Sequence, residues 1–393
     1  MKIFYINATS GEGSTGRICL ELANAYSGCG NQCKIFYGNG KSKSPLAIKV
    51  ASNIGVKIHA LLSRITGFQG CFSNYATGKI IRAIKKEKPD IVHLHNLHGN
   101  FVNTFRLLNY LANKDIATVL TLHDCNFYTG KCSHYTDAKC TGWKELCGEC
   151  PQLKKDIPSY FFDCTTKMIQ KKKRIYAKFK RLGVIAVSDW IKCEAEKSIL
   201  KGAKIKRIYN WIDNTVFKPY VNSSNDLFVL CVSAKWGKNM PKYNDLLKLN
   251  SQLCGDVKIK VAGKIEEGIT LPNNIEVVNY INNEEDMAKL YSDALVYVHL
   301  SSEDTFGKVI AESLACGTPV IVYNSTACPE LVVDGSGYVV NVRDIDDVCK
   351  KINKIKTKGK GQYFQSCIKQ SKRFDKDTAI NETFEFYKEI IGN

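Results

Sequence analysis

Two carboxylates, Asp304 and Glu312, bracket the run Asp304-Thr305-Phe306-Gly307-Lys308-Val309-Ile310-Ala311-Glu312. The run follows an apolar strand pattern ending at Leu300. It opens a helical pattern that ends at Gly317, with Pro319 just beyond. A helix start presents unpaired N–H groups and the positive end of its dipole. That combination is an anion site and suits a diphosphate. Glu312 lies about one and a half turns inside the helix, at ~3.6 residues per turn, where a carboxylate could reach neutral ribose hydroxyls. Asp304 precedes the helix and could hold a sugar hydroxyl. The plainer alternative makes Asp304 the helix cap and Glu312 a solvated or structural carboxylate.

Four further clusters could carry chemistry. Gly11-Glu12-Gly13-Ser14-Thr15-Gly16 matches G-x-G-x-x-G between a strand and a helix, the pattern of a nicotinamide-dependent oxidoreductase. That reading needs a carboxylate about 20 residues on, at the end of the second strand. Phe36-Tyr37-Gly38-Asn39-Gly40-Lys41 supplies none. The loop is better read as letting backbone approach a ligand at Gly13 and Gly16, with Arg17 as an anion contact. His93 and His95 alternate along one strand and so share a face. With His98, His123 and Asp124 they could form a hydrolase-type metal site. The alternative is a set of core or cleft histidines bonded to backbone. Cys132, Cys140, Cys147 and Cys150 follow C-x7-C-x6-C-x2-C, with Gly130, Gly142 and Gly148 for the turns. Four thiolates around Zn²⁺ would staple this loop; free thiols, a disulfide and an Fe–S cluster stay open. Lys167 to Arg181 is a basic amphipathic run in which Met168, Ile175 and Phe179 share a side. It is either a solvated helix or a docking element for an anionic inner leaflet.

The elements that must position these groups alternate. Lys2–Ala8, Cys33–Tyr37, Asp90–Leu94, Thr118–Leu122 and Val184–Val187 read as strands, with helical patterns over Ile18–Tyr26 and Ile80–Lys88. The pattern restarts with strands at Leu227–Val232, Lys258–Ala262, Ile275–Val278, Leu295–Leu300 and Val320–Tyr323. Met287–Tyr291 and Val309–Ala315 read as helices. Alternating strands and helices predict α/β units with parallel sheets. A linker is expected over Asn210–Asn225, and a last helix within Arg373–Asn393.

A length of 393 residues exceeds the roughly 250–300 that one core supports, so two domains are expected. No apolar run reaches the ~18 residues of a membrane span, and Met1–Asn7 reads as a strand rather than a signal. The 17 cysteines are mostly scattered as single core residues, such as Cys19, Cys231, Cys316 and Cys349, which fits a reducing cytoplasm. A net charge of +18 favours an anionic partner. No nucleic-acid module is recognised, so nucleic acid is not expected.

The run Ser302–Gly307 followed by Glu312-Ser313-Leu314-Ala315-Cys316-Gly317-Thr318-Pro319-Val320 closely resembles the donor-site signature of retaining GT-B glycosyltransferases, the glycosyl transferases group 1 (family 4-like). Other segments resemble that family in the same order: Ser14–Arg17, Pro89–His95, Thr121–Asp124, Val187-Ser188, and Tyr209–Asp213 with Phe217 and Pro219. The resemblance implies α/β GT-B architecture, two Rossmann-like domains facing across a cleft. It implies a nucleotide-sugar donor, retention, and no catalytic metal. By the same resemblance Glu312 binds ribose, Phe306 and Gly307 offer backbone amides, and His123 sits beside the donor sugar. The chain departs from the signature twice. Asp304 stands where Glu is usual, with Glu303 one place early. The usual Gly-Arg and Lys-Gly cations are displaced into Ser233-Ala234-Lys235-Trp236-Gly237-Lys238-Asn239-Met240-Pro241-Lys242, where Lys235 and Lys242 are the candidates and Lys238 stands behind them.

The expected site is therefore His123, Asp304 and Glu312 for catalysis. Gly13, Gly16, Arg17, Ser188, Lys235, Lys242, Phe306, Gly307 and Lys308 are expected to bind the donor. The expected domains are 1–210, holding the Cys-rich loop 125–151, then 211–372, then a helix in 373–393 packing back on the first. The expected activity is sugar transfer to a saccharide acceptor, lipid-linked acceptors included, in surface polysaccharide or glycoconjugate synthesis at the inner membrane face. A UDP-sugar epimerase of the same fold and a catalytically weak sugar-nucleotide-binding relative are the alternatives.

Overall fold

The computed structural model describes residues 1–221, 226–253, 257–278, 281 and 283–392. The last four positions of the expected linker, 222–225, lie outside them, as does Asn393. The chain divides into two compact units, Met1–Ile208 with Ile380–Asn393, and Tyr209–Ala379.

The first unit runs β1 (Lys2–Asn7), α1 (Gly13–Gly28), β2 (Gln32–Tyr37), β3 (Ala47–Lys49), α2 (Asn53–Thr66), α3 (Asn74–Glu87), β4 (Ile91–Leu94), α4 (Thr104–Asn113), β5 (Thr118–Leu122), α5 (Thr165–Tyr176), β6 (Leu182–Ala186), α6 (Asp189–Glu196) and β7 (Lys204–Arg207). Its strands pair in parallel in the order β3-β2-β1-β4-β5-β6-β7. β4 and β5 are buried throughout, as parallel strands covered on both faces must be. This explains why Ile91-Val92-His93-Leu94 reads as an almost continuous apolar run.

The second unit runs β8 (Phe228–Trp236), α7 (Pro241–Gln252), β9 (Lys258–Ile265), β10 (Ile275–Val278), α8 (Glu284–Asp293), β11 (Val296–His299), α9 (Lys308–Ala315), β12 (Val320–Tyr323), β13 (Gly337–Val340), α10 (Ile345–Lys358) and α11 (Gly361–Ser371). Its strands are again parallel, in the order β10-β9-β8-β11-β12-β13. Each sheet reverses direction once, between β1 and β4 and between β8 and β11. Ligands of open α/β sheets bind outside the carboxyl ends of strands at such a reversal.

The last helix, α12 (Lys376–Ile391), carries its residues from Ile380 onward in the first unit. Tyr26 donates its hydroxyl to the Ile380 carbonyl at 2.7 Å. Gly183 of β6 leaves the space that Phe386 and Ile390 fill, since a Cβ there would stand 2.8–2.9 Å from them.

Three local expectations change. α1 begins at Gly13, so the second half of the glycine-rich run is the helix's first turn rather than loop. β8 extends to Trp236 through an irregularity between Val232 and Lys235. The basic helix of 167–181 is α5, which ends at Tyr176, and it buries Met168, Ile169, Lys172 and Ile175. Its apolar side is spent on the unit's own core, while Lys167, Lys171, Lys173 and Arg174 stay exposed.

Candidate functional site

At the reversal of the second sheet, α9 starts at Gly307, its N-cap, with φ 84° and ψ 57°. A left-handed cap suits glycine, and a Cβ here would also meet Ile310 at 2.7 Å. No side chain caps this helix start, so Asp304 is not its cap, and that alternative is corrected. The Asp304 carboxylate instead meets His299 Nε2 at 2.9 Å, and His299 Nδ1 meets the Tyr297 hydroxyl at 2.7 Å. Tyr297 and His299 alternate on β11 and so point to one face. The Asp304 N–H donates to Thr326 Oγ1 at 3.1 Å, and its carbonyl accepts from Ala327 N at 3.3 Å. The loop after β11 is thereby tied to the loop after the neighbouring β12.

Glu312 lies on α9 with its side chain 12% exposed. Tyr291 donates to Glu312 Oε2 at 3.3 Å, and Lys308 Nζ stands 4.0 Å from Oε1. Lys242, in the first turn of α7, donates to Ser233 Oγ at 2.5 Å. Burial holds its ammonium below the usual lysine range, and the charge of Asp304 acts the other way. Lys242, at the start of the helix after β8, and Asp304, in the loop after β11, thus follow the two strands that meet at the reversal. Lys235 does not join them. It is exposed on β8 and pairs with Glu266 at 2.7 Å. Phe306 turns its ring into an aromatic cluster with Tyr209 and Phe374, at centroid distances of 5.9 and 5.3 Å. Its side chain anchors the loop, leaving its backbone for any ligand.

In the first unit the glycine-rich loop follows β1. Gly11 N–H donates to the Gly16 carbonyl at 2.9 Å, and a Cβ on Gly16 would stand 2.5 Å from Thr9 Oγ1. The close approach therefore requires glycine at 16. Gly13 has φ 68° with open space around it, and Arg17 is exposed on the next turn. The carboxylate beside the end of β2 is Glu12 from the loop itself, which accepts from Lys41 N at 3.0 Å. Ser188 is fully buried and caps α6, accepting from Ile191 N at 3.2 Å.

The histidines form a chain of contacts. His93 meets the Tyr387 hydroxyl at 2.5 Å through Nδ1 and Thr121 Oγ1 at 2.6 Å through Nε2. His95 Nδ1 meets His123 Nε2 at 2.8 Å, with the rings stacked 5.1 Å apart. Burial, with the neighbouring imidazoles adding to it, pushes His93 and His95 well below the usual histidine value. Burial also pushes His123 down to about 4, against the opposing charge of Asp124. Asp124 instead meets His98 at 2.7 Å. Burial opposes charge on His98, but Asp124 outweighs it and the net shift is upward. His93 thus spends both ring nitrogens on hydroxyls, His95 Nδ1 and His123 Nε2 face each other, and His98 Nε2 meets Asp124. A separate cavity of about 530 Å³ faces the amino ends of β6 and β7, among Lys180, Arg181, Lys201 and Ile390, away from these groups.

Ser233, Tyr297 and His299 were not singled out from sequence. The signal was available: His299 sits five residues before Asp304 and alternates with Tyr297.

Comparison with known proteins gives the family. The family described as "Glycosyltransferase Family 4" matches residues 15–216, and "Glycosyl transferases group 1" matches residues 225–374. A 41.2 kDa protein of the cps region of Klebsiella pneumoniae is 24% identical over 335 residues, covering 79% of this chain and 81% of that protein. The O-antigen chain mannosyltransferase B of Escherichia coli is 30% identical over 116 residues, 29% of this chain and 30% of the relative. Among solved structures, sucrose-phosphate synthase from Thermosynechococcus elongatus superposes with a TM-score of 0.70 at 15% identity, covering 100% of this chain and 99% of that one. The Anabaena HepE protein in complex with UDP-glucose gives 0.66 at 17% identity, covering 98% and 99%. With two parallel Rossmann-like sheets and a match to the family over both units, the chain belongs to the group 1, family 4 glycosyltransferases of GT-B fold.

Proposed function

We propose that this glycosyltransferase moves a sugar from a nucleotide-diphospho-sugar to a saccharide acceptor, with retention, in surface polysaccharide or glycoconjugate synthesis. The observation that carries the reading is the assembly of Lys242, Asp304, the uncapped start of α9 and Glu312 at one sheet reversal. Lys242 and the N–H groups at Gly307 and Lys308 stabilise the leaving diphosphate, where charge develops. Glu312 takes the ribose hydroxyls. Asp304, oriented by His299, takes a sugar hydroxyl through a shorter arm than the family's usual Glu. His123, held neutral, is assigned to the transferred sugar, and Gly13, Gly16 and Arg17 to the backbone and anion contacts of the first unit. Lys235 and Ser188 are left out of the set, because one is an exposed ion pair and the other a buried helix cap.

A panel of nucleotide sugars, followed by nucleotide release with and without saccharide acceptors, tests this. Acceptor-dependent release supports transfer. Conversion of the sugar without acceptor would identify an epimerase, and binding without turnover a catalytically silent relative.

We propose a second surface for the expected anionic membrane partner. Ile54, Ile58, Leu61 and Ile65 lie along α2 at spacings that share one helix face, and all are exposed, Ile54 at 72%. Phe161, 70% exposed, and Phe162 sit in the adjoining loop, which Tyr160 N–H ties to the Arg64 carbonyl at 2.8 Å. An apolar stripe with Lys57 and Arg64 on the same helix suits an anionic bilayer, and with it a lipid-linked acceptor. Flotation with phosphatidylglycerol vesicles should lose the protein on Ile58→Glu with Leu61→Glu. Loss on charge reversal of Lys167, Lys171 and Lys173 alone would return the surface to α5.

A further inference from the structure

The segment from Asp124 to Cys164 spans the connection from β5 to α5. Among its described residues the regular structure is one short 3-10 turn, Gly142–Lys144. Connections of more than ~12–15 residues without secondary structure need another reason to be ordered. Yet this one buries Tyr128, Tyr135 and Trp143. At its centre Cys132, Cys140, Cys147 and Cys150 line one cavity of about 20 Å³ against Trp143.

Polar groups and two lysines surround the cavity. Cys132 and Cys150 face each other across it. The Gly130 and Gln152 backbone amides and the Gln152 side chain lie beside Cys147, Cys150 and Cys132. Donors of this kind orient and stabilise metal thiolates. Two buried lysines stand beside them. Lys131 is 2% exposed, with Nζ on the carbonyls of Gln152, Lys155 and Ile157 at 3.0, 2.9 and 2.9 Å. Lys172 is 4% exposed, with Nζ on the carbonyls of Asn126 and, at 2.9 Å, Thr129. Lysines are almost never this buried without a compensating partner. The tight turn between the last two cysteines runs through left-handed backbone at Cys147, Gly148 and Glu149, with φ of 51°, 111° and 45°.

We propose that Cys132, Cys140, Cys147 and Cys150 form a tetrathiolate zinc site that staples this segment onto the first unit. Zn²⁺ exchanges for the four thiol protons, giving a centre of net charge −2 that the ammonium groups of Lys131 and Lys172 offset. No three metal-binding groups among the described residues already stand close enough to hold an ion. Binding therefore draws the sulfurs inward across the small cavity to the ~2.3 Å of a Zn–S bond. The site is independent of the glycosyl-transfer reading, and its ligands touch none of the donor-binding residues named above.

The test uses the full chain, purified in mild reductant without chelator. Elemental analysis should find a single zinc ion per chain. Cys147→Ser and Cys150→Ser should each lower zinc content by about tenfold, while Cys193→Ser, an exposed thiol on α6, should leave it unchanged. Should the serine variants fail to fold, Co²⁺ exchanged into the wild-type chain should give sulfur-to-cobalt charge-transfer bands and strong tetrahedral d–d absorption. The proposal is overturned by free alkylation of all four thiols in the folded, metal-free chain. A mass showing a disulfide among them, or a brown, iron-containing protein, overturns it equally.

Discussion

At the reversal of the second sheet the side chains carry charge: Lys242, Asp304, Glu312 and Lys308, beside an uncapped helix start. At the carboxyl edge of the first sheet the side chains in direct contact are His95 and His123, stacked, buried and held neutral. Under the proposed function, the same topology serves two chemistries. A charged edge can hold a diphosphate and absorb the charge that appears as it leaves. A neutral imidazole pair can direct hydrogen bonds at an uncharged sugar without attracting anions. The +18 of the whole chain does not distinguish the two places; the local environment does.

The sharpest way to break this comparison is at the lysines. Lys242→Ala should lower transfer by about 100- to 1,000-fold, the usual cost of removing one donor aimed at developing charge. Lys235→Ala should change it by less than about threefold, because exposed ion pairs contribute little. A steady-state assay on both variants reads the difference, and the reverse order would hand the diphosphate to Lys235. Glu312→Gln should reduce kcat/KM by about 10- to 100-fold, the loss of a charge-assisted hydrogen bond. Wild-type kinetics in that variant would remove Glu312 from the ribose.

The neutral edge makes its own prediction. Folding holds His123 down to about 4 from an ordinary 6.5, chiefly through burial. As pH falls below about 6.5 the unfolded chain takes up a proton that the folded site refuses until about 4. Stability from this group is full above that window and is lost through it. His93 and His95 act in the same direction, while His98, raised by Asp124, acts in the opposite one. The melting temperature should fall between pH 6.5 and 4.5, and His123→Gln should flatten the fall. A slope unchanged by His123→Gln would mean that the imidazole is not held neutral. The smallest effect is structural. Gly307→Ala, at φ 84°, should cost about 1 kcal/mol, read as a lower melting temperature. No loss of stability would show that the left-handed cap is dispensable.

Much of this was legible in the sequence because buried parallel strands are short apolar runs with sharp ends. Thr118–Leu122 and Val320–Tyr323 were read with the boundaries observed. The order of strands and helices then placed Asp304, Glu312 and His123 at carboxyl edges. What was missed has physical reasons. Glycines at 13 and 16 read as loop, although the first turn of α1 accepts both. Lys235 read as a site cation from its charge alone, and its exposed pairing with Glu266 has no sequence marker. The apolar side of α5 read as a docking face, although it carries a lysine, Lys172, into the interior. The exposed stripe of α2 was not assigned, although Ser52 and Gly67 mark its ends. His299 was hidden inside an apolar strand.

The central claim is that the charged edge of the second sheet, and not the neutral edge of the first, holds the nucleotide diphosphate. Calorimetric titration of UDP, GDP and ADP into the full chain and its variants tests this most directly. The account predicts that the nucleotide bound by the wild type binds at least about tenfold more weakly to Lys242→Ala and Glu312→Gln. His123→Ala should keep wild-type affinity while losing transfer. Undiminished binding in the first two variants, with binding abolished in His123→Ala, would contradict it.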